Sequence, residues 1–452
     1  MNSELIKKYN VAGPRYTSYP TVPYWTTPPT PEEWKNKVQR SFRRTNKSSG
    51  ISLYIHLPYC ESLCTYCGCN TRITVNHAVE EPYIKALLKE WEIYLGYFPG
   101  IPRIREIHLG GGTPTFFSPI RLRELIQGIT SRGIVCDNAE FSFEAHPNNT
   151  TQEHLQALFD LGFRRLSLGI QDFDSRVQYI INRIQTFNDV EQVTRQARVI
   201  GYTSVNYDLI YGLPLQDLQT MASTIAKVKH LKPDRIAFYS YAHVPWIKPG
   251  QRKFTEKHLP PDELKRKLYE LGRSLLEATG YREIGMDHFA LESDSLYRAV
   301  ATRRLHRNFM GYTTNPTELL IGLGVSSISD SWSAYSQNVK TVEQYLKLVN
   351  ENRLPAFRGH LLSDDDLVIR KHILNIMCLG KTSWKKEKEQ SQSVYEAIER
   401  LKELEADGLV AVHPFRLRVT KKGKAFIRNV CMAFDARLWE NSPQTQVFSK
   451  II

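Results

Sequence analysis

From residue 51 to about residue 290 the chain alternates short β-branched and aromatic runs with longer amphipathic stretches. Strands are expected over 51–57, 106–110, 140–145, 165–170, 204–210 and 235–241. Helical stretches fall between them at 82–97, 119–131, 151–161, 188–200 and 218–231, and another follows the sixth strand at 261–279. Strands separated by helices of this length are joined by right-handed crossovers, which makes the sheet parallel. Six such units fall short of the eight that close a barrel. This leaves a doubly wound sheet or an open, partial (β/α)6 TIM-like barrel.

The placing of the unusual residues favours the partial barrel. A cysteine loop follows the first expected strand, and Gly110-Gly-Gly-Thr113-Pro-Thr follows the second. Glu144 ends the third, Gln171-Asp-Phe follows the fourth, Asp208 and Tyr211-Gly-Leu-Pro lie late in the fifth, and Tyr241-Ala-His243 follows the sixth. Ligands in parallel α/β folds bind at the C-terminal edge of the sheet. Six strands that all contribute to one rim suit a barrel mouth.

The cysteine loop reads Cys60-Glu-Ser-Leu-Cys64-Thr-Tyr66-Cys67-Gly-Cys69-Asn70 and holds four of the seven cysteines. Such dense soft thiolates suit iron–sulfur clusters, zinc or copper. Structural zinc usually takes two Cys/His pairs a dozen or more residues apart, a pattern absent from this loop. A disulfide framework fits poorly with an odd cysteine count and three scattered singles, Cys136, Cys378 and Cys431, in apolar surroundings. Three thiolates spaced C-x3-C-x2-C can hold three irons of a four-iron cluster and leave the fourth open to a chelating ligand. Glycines after the second strand let backbone groups approach such a ligand.

These motifs resemble those of radical S-adenosylmethionine enzymes. The extension C-x3-C-x2-C-x-C-N is similar to the branch containing the oxygen-independent coproporphyrinogen III oxidases. The resemblance runs from the Tyr9-Asn-x-x-Gly-Pro-Arg-Tyr-Thr-Ser-Tyr-Pro arm through Arg165-Leu-Ser-Leu-Gly-Ile-Gln-Asp-Phe173 and Gly311-Tyr-Thr-Thr314 to Phe448-Ser-Lys-Ile-Ile452. It implies that Cys60, Cys64 and Cys67 bind a [4Fe–4S] cluster while Cys69 does not. It implies that one S-adenosylmethionine lies against Tyr54, Gly111, Glu144 and Ile328. A second would lie against Tyr66, Gly112, Thr113, Gln171, Arg183, Asp208 and Ala242. The implied reaction is decarboxylation of two propionates of coproporphyrinogen III to vinyl groups, giving protoporphyrinogen IX in haem biosynthesis. A 5′-deoxyadenosyl radical would start it, with no catalytic residue beyond the cluster and S-adenosylmethionine, and an electron donor such as flavodoxin or ferredoxin would supply reducing equivalents. Arg15, Arg252 and Arg307 are candidates to pair with substrate carboxylates, since guanidinium binds carboxylate bidentately. One departure stands out: His146 occupies the third position of the family's Glu-x-Asp-Pro. The alternatives are a haem chaperone of the same superfamily, a haem-degrading radical methyltransferase and a zinc-stabilised nucleic-acid-binding protein. Cys67-Gly-Cys69-Asn70 and the N-terminal arm set the chain apart from the chaperone.

The remainder divides into an N-terminal arm over 1–48, a catalytic domain over 49–345 and a C-terminal domain over 346–452. The arm is either a strap over the next domain or a cover for the cavity, with a helix at 31–44 capped by Thr30. The C-terminal part is expected to be mostly helical, with helices at 364–378, 391–406 and 421–433 around an alternating hairpin at 408–420, similar to a winged helix. No base-contacting set is legible there, so nucleic acid is not an expected partner. The net charge of +13 is spread over helix faces and assigns no partner. No run of about 18 apolar residues exists, so no membrane span is expected. The start lacks the apolar core of a signal sequence, and with reduced thiols implied the expected site is the cytoplasm. The expected state is a monomer.

Overall fold

The computed structural model describes residues 3–26, 28–441 and 448–451. Met1 and Asn2 of the amino-terminal stretch, and Ile452 of the C-terminal motif, lie outside the described residues. Six parallel strands form the centre: β1 (Ile51–Leu57), β2 (Arg103–Gly111), β3 (Ile134–Ala145), β4 (Phe163–Gln171), β5 (Ser204–Tyr211) and β6 (Arg235–Ser240). Each pairs with the next, as βαβ units require. The longest strand, β3, begins six residues before the expected start: Ile134 and Val135 pair with Arg103 and Ile104, residues 136–139 form an irregularity in the ladder, and pairing resumes with Glu140 opposite Glu106.

The sheet is wider than the six expected strands. On one side β7 (Tyr281–Gly285) and β8 (His288–Leu291) add an antiparallel hairpin to β6. On the other, β9 (Leu320–Leu323) lies parallel to β1, followed by antiparallel β10 (Ile328–Asp330), β11 (Ala334–Asn338) and β12 (Ala356–Leu361). The 12-stranded order is β12-β11-β10-β9-β1-β2-β3-β4-β5-β6-β8-β7, so its two edges are not joined and the barrel stays partial. The sheet runs past residue 345, into a stretch that composition grouped with the C-terminal part.

Period-two alternation decides what each face does. Ile107 and Leu109, Phe141 and Phe143, Leu166 and Leu168, Val205 and Tyr207, Ile236 and Phe238 are buried in one continuous apolar core. That core lies against α1 (Glu80–Leu95), α2 (Pro119–Thr130), α3 (Gln152–Asp160), α4 (Phe187–Ile200), α5 (Leu218–Leu231) and α6 (Asp262–Ala278). The intervening positions are polar and face the lumen. Helix starts follow local chemistry: Thr186 and Asp217 form capping boxes at α4 and α5, and Gly201 closes α4 at φ 116°.

One buried acid ties the sheet's far side to this core. Glu90 of α1 accepts hydrogen bonds from Gly324 N (2.8 Å), Asn338 Nδ2 (2.7 Å) and the Tyr345 hydroxyl (2.7 Å). Burial pushes its carboxyl up to about 7, against the pull of those three donors. Glu90→Ala leaves Gly324 N and the Tyr345 hydroxyl unpaired, while Asn338 Nδ2 keeps Gly324 O and Ser327 Oγ. It is expected to cost about 3 kcal/mol, read as a lower urea midpoint with unchanged slope.

The arm is a packed strap. Its helix Pro31–Thr45 has a Thr30–Glu33 capping box and buries Trp34, Val38 and Phe42 against the core. Upstream, Trp25 stacks on Tyr335 at 4.9 Å, and Tyr16 donates to Asp435 Oδ2 at 3.0 Å. Arg428 donates to the carbonyls of Gly13 and Pro14, joining the strap to the C-terminal helices. There, helices Asp364–Leu379, Gln392–Ala406 and Ile427–Phe434 surround a three-stranded sheet whose middle strand is Arg416–Val419, a winged-helix-like arrangement. The helix expected over 421–433 is instead a 3-10 turn, Gly423–Phe426, followed by a shorter helix. Gly423 packs so tightly on the Leu409 carbonyl that no Cβ fits.

Candidate active site

The rim is built around the loop leaving β1. Cys60 lies on a two-residue strand, Tyr59–Cys60, that pairs with Arg72–Ile73. Cys67 N donates to Cys64 O at 3.1 Å, which folds the two later cysteines into one turn. The Cys60 thiol contacts Thr113 Oγ1 at 3.3 Å, Arg183 Nη1 approaches Cys64 Sγ at 3.6 Å, and Cys69 N donates to Cys67 Sγ at 3.4 Å. The Cys69 thiol, hydrogen-bonded to Cys67, is the main cause lowering the Cys67 thiol to about 6, with the Cys69 backbone N–H adding to it, while burial pushes Cys60 up to about 11.

All three thiols line a cavity of about 790 Å³ that runs from the rim down into the lumen. Of the residues singled out in the sequence, Tyr66, Gly111, Gly112, Thr113, Glu144, Gln171, Arg183 and Asp208 also line it. Six do not: Tyr54, Ala242, Ile328, Arg15, Arg252 and Arg307. Tyr54 lies just behind the wall, its hydroxyl 3.0 Å from His56 Nδ1 and its ring stacked near His108. Ala242 O accepts from Gln251 Nε2, which also donates to Tyr66 O at 3.0 Å. Ile328 packs beside Trp25 and Tyr335.

The arginines expected at the mouth are not in the wall. Arg15 pairs with Asp287 (3.2 Å) and donates to Ser240 O at the end of β6. Arg252 is exposed and bonds Pro245 O. Arg307 is buried against the Tyr312 ring, its Nε and Nη1 unpartnered. The arginines of the wall are Arg165, Arg183 and Arg235. Sequence reasoning missed Arg165 and Arg235, together with Ser142, Ser167 and Asn206. The available signal was alternation for Ser142, Ser167 and Asn206, each between two core residues of its strand, whereas Arg165 and Arg235 stand near the start of theirs, where no such bracket exists.

The glycine triplet is also a packing element. Gly111 has φ 116°, and a Cβ on it would meet the His56 ring at 2.8 Å. A Cβ on Gly112 would meet the Pro58 carbonyl at 2.5 Å. Protein fills the space a side chain would take, and the motif also seats the cysteine loop: Gly112 N donates to Leu57 O and Thr113 N to Tyr59 O, while Gly111, Gly112 and Thr113 still line the cavity.

Two carboxylates face the lumen in different settings. Burial opposes ionisation of Glu144, but His108 Nε2 (3.4 Å) and Gly111 N (3.2 Å) outweigh it and hold the carboxyl below its usual value. Asp208 is raised to about 6 by burial and by the charge of Glu144, against hydrogen bonds from Ser167 Oγ (2.9 Å) and Asn206 Nδ2 (2.8 Å). Arg183 donates twice to Gly169 O, at 2.6 and 3.0 Å, and so crosses from β4 to the cysteine loop. His146 explains the departure from Glu-x-Asp-Pro. Its Nδ1 accepts from Asn148 N at 3.2 Å, the capping bond that an aspartate makes in such a turn, without the charge.

Comparison with known proteins extends this picture. Residues 54–227 match the family model of the Radical SAM superfamily. A curated relative from Synechocystis sp., named oxygen-independent coproporphyrinogen III oxidase, is 38% identical over 100% of this chain and 98% of its own length. One of the same name from Escherichia coli is 38% identical over 99% and 98%. A solved structure of coproporphyrinogen III oxidase from Escherichia coli, described as a radical SAM enzyme, has a TM-score of 0.90 at 36% identity and covers 97% of this chain and 99% of that one. The partial barrel and its thiol-lined rim are those of a radical SAM protein. Within that superfamily, the chain belongs to the oxygen-independent coproporphyrinogen III oxidase family.

A [4Fe–4S] cluster and S-adenosylmethionine are the cofactors of such proteins, and the residues present fit them. Three thiols from one loop open onto a cavity with both anionic and cationic walls. Among the described residues no group of three or more His, Cys, Asp or Glu side chains is disposed to hold a single metal ion. That geometry suits thiolates serving separate irons of a cluster better than a mononuclear zinc site.

Proposed function

We propose that the chain is an oxidoreductase that decarboxylates two propionates of coproporphyrinogen III to vinyl groups without oxygen, giving protoporphyrinogen IX. The observation that carries the reading is the full-length similarity to relatives of that name, joined to three thiols at the mouth of one cavity. When bound, the cluster and S-adenosylmethionine would supply the radical chemistry needed to turn a propionate into a vinyl group. The chain's own residues hold and orient. Cys60, Cys64 and Cys67 are the cluster ligands. Tyr54, Gly111, Glu144 and Ile328 attend one S-adenosylmethionine. Tyr66, Gly112, Thr113, Gln171, Arg183, Asp208 and Ala242 attend a second. The arm, the catalytic unit and the winged-helix-like unit are read as divisions at about residues 48 and 345. A flavodoxin or ferredoxin is the electron donor, and the protein works as a monomer in the cytoplasm.

Arg15, Arg252 and Arg307 are the first candidates for pairing with substrate carboxylates. Alanine at each is expected to raise the KM for coproporphyrinogen III severalfold with little change in kcat. An unchanged KM for all three would move the role to Arg165, Arg183 and Arg235. The activity itself is tested by anaerobic reconstitution followed by addition of dithionite, S-adenosylmethionine and coproporphyrinogen III. Protoporphyrin and 5′-deoxyadenosine are the expected products. Deoxyadenosine without a decarboxylated product would overturn the substrate, and bound haem without turnover would point to a chaperone.

A further inference from the structure

Outside the cavity, a second surface abuts the cysteine loop. Helix Ser175–Ile180 and the segment 244–253 flank residues 62–69 from the solvent side. Asn182 Nδ2 donates to Leu63 O at 2.7 Å, and Thr65 N donates to Ile181 O at 2.9 Å. Lys248 Nζ donates to Cys69 O at 3.1 Å, and Gly250 packs on Leu63. This surface exposes large apolar side chains: Tyr179 is 71% exposed, Ile247 55% and Trp246 51%. None of them lines the cavity, so the substrate pocket does not account for them.

The same surface is cationic. Lys253 Nζ sits 5.7 Å from the centre of the Tyr179 ring, and Lys257 lies in the next 3-10 turn, Glu256–His258, beside Glu256. Among the described residues Lys248, Lys253 and Lys257 form no ion pair with a carboxylate, and Lys248 bonds the Cys69 carbonyl. An aromatic centre rimmed by unpaired cations is how an interface with an acidic partner is built: the aromatics supply affinity and the charges supply steering.

We propose that this face, centred on Trp246 and Tyr179 with Lys253 and Lys257 at its rim, docks an acidic one-electron carrier protein. The inference rests on the radical SAM reading above, because each reductive cleavage of S-adenosylmethionine consumes one electron. The carrier is oxidised by one electron, which enters through the loop holding Cys64 and Cys67, and no bond to the protein forms or breaks. A carrier seated here reaches the cysteine loop from behind and leaves the cavity open to substrate.

The test uses the reconstituted holoenzyme, an acidic flavodoxin as probe, and the variant Trp246→Ala/Lys253→Glu. Flavodoxin affinity, measured by titration calorimetry at low and moderate salt, is expected to fall at least tenfold and to lose most of its salt dependence. Flavodoxin-driven formation of 5′-deoxyadenosine should fall by a similar factor, while dithionite-driven formation stays within twofold of the parent. Unchanged affinity and unchanged flavodoxin-driven turnover would overturn the proposal. Equal losses with both reductants would also overturn it, since the face would then support the cluster. Failure of the parent to make protoporphyrin with dithionite would count against the substrate reading alone, because carrier binding is measured separately.

Discussion

Alanine in place of Cys60, Cys64 or Cys67 is expected to remove essentially all iron and sulfide from the reconstituted protein and to drop 5′-deoxyadenosine formation by at least roughly 1000-fold. The size follows from the division of labour, since the cofactor carries the bond-breaking chemistry and the protein only binds and orients it. The informative comparison is Cys69→Ala. Cys69 meets Cys67 through its backbone N–H, 3.4 Å from the sulfur, and that bond survives loss of the side chain. Iron per chain in Cys69→Ala is therefore expected to stay within about twofold of the parent. Removing the Cys69 side chain does take away the contact that lowers the Cys67 thiol to about 6. Ligand thiols must lose their protons to bind metal, so reconstitution of Cys69→Ala should slow as the pH falls below 7. Iron analysis, sulfide analysis and the time course of reconstitution read these effects. Loss of iron from Cys69→Ala equal to that from Cys60→Ala would make Cys69 a ligand and contradict the assignment.

What could be read from sequence follows the reach of each signal. The six central strands, their parallel order and the rim were legible, because period-two runs alternating with amphipathic helices constrain topology strongly. Of the flanking strands only one was marked: the apolar, glycine-bearing run 318–328 reads as a final strand or buried turn, and it holds β9. β10 has three residues and β9 has four, too short to show a period, and β9 joins β1 across some 260 residues of sequence. The thiols were legible because their spacing is itself the chemistry. The polar lumen was overlooked because Arg165, Ser167 and Asn206 resemble ordinary surface residues until both faces of a strand are considered. At Gly110–Gly112 sequence shows that a close approach occurs, and packing adds that His56 and Pro58 occupy the side where a Cβ would lie. Arg15 and Arg307 were placed at the mouth by charge alone. Charge carries no position, and the fold directs one to Asp287 and the other beneath Tyr312.

Asp208→Asn is expected to lower kcat/KM at least tenfold at pH 7.5 while making the fold more stable at that pH. In the parent, burial and the neighbouring Glu144 raise the Asp208 carboxyl to about 6, well above the value of about 3.9 in an unfolded chain. Between those two values the folded state binds the proton more tightly than the unfolded state. Stability from this group is therefore present at low pH and is lost as pH rises through 6. Asparagine does not titrate, keeps the lumen position and escapes the charge repulsion. The variant should gain up to about 2 kcal/mol over the parent above pH 7 and nothing at pH 4. Activity should run the other way. An ionised Asp208 is the stronger acceptor for a ligand ammonium or hydroxyl group, so kcat/KM of the parent should fall on the acid side with a midpoint near 6. Glu144, held below its usual value by His108 and Gly111, adds no limb above pH 5. The acid limb should vanish in Asp208→Asn and persist, on a lower plateau and with its midpoint moved below 6 by loss of the Glu144 charge, in Glu144→Gln. Denaturant curves at pH 5 and 8 and a pH profile of S-adenosylmethionine cleavage together decide the matter. A variant that is less stable at pH 8, or that keeps the limb, would show that Asp208 braces β5 and does not hold a ligand. The expected outcome is a carboxylate kept at the mouth of the barrel for its charge, against the preference of the fold for a neutral side chain there.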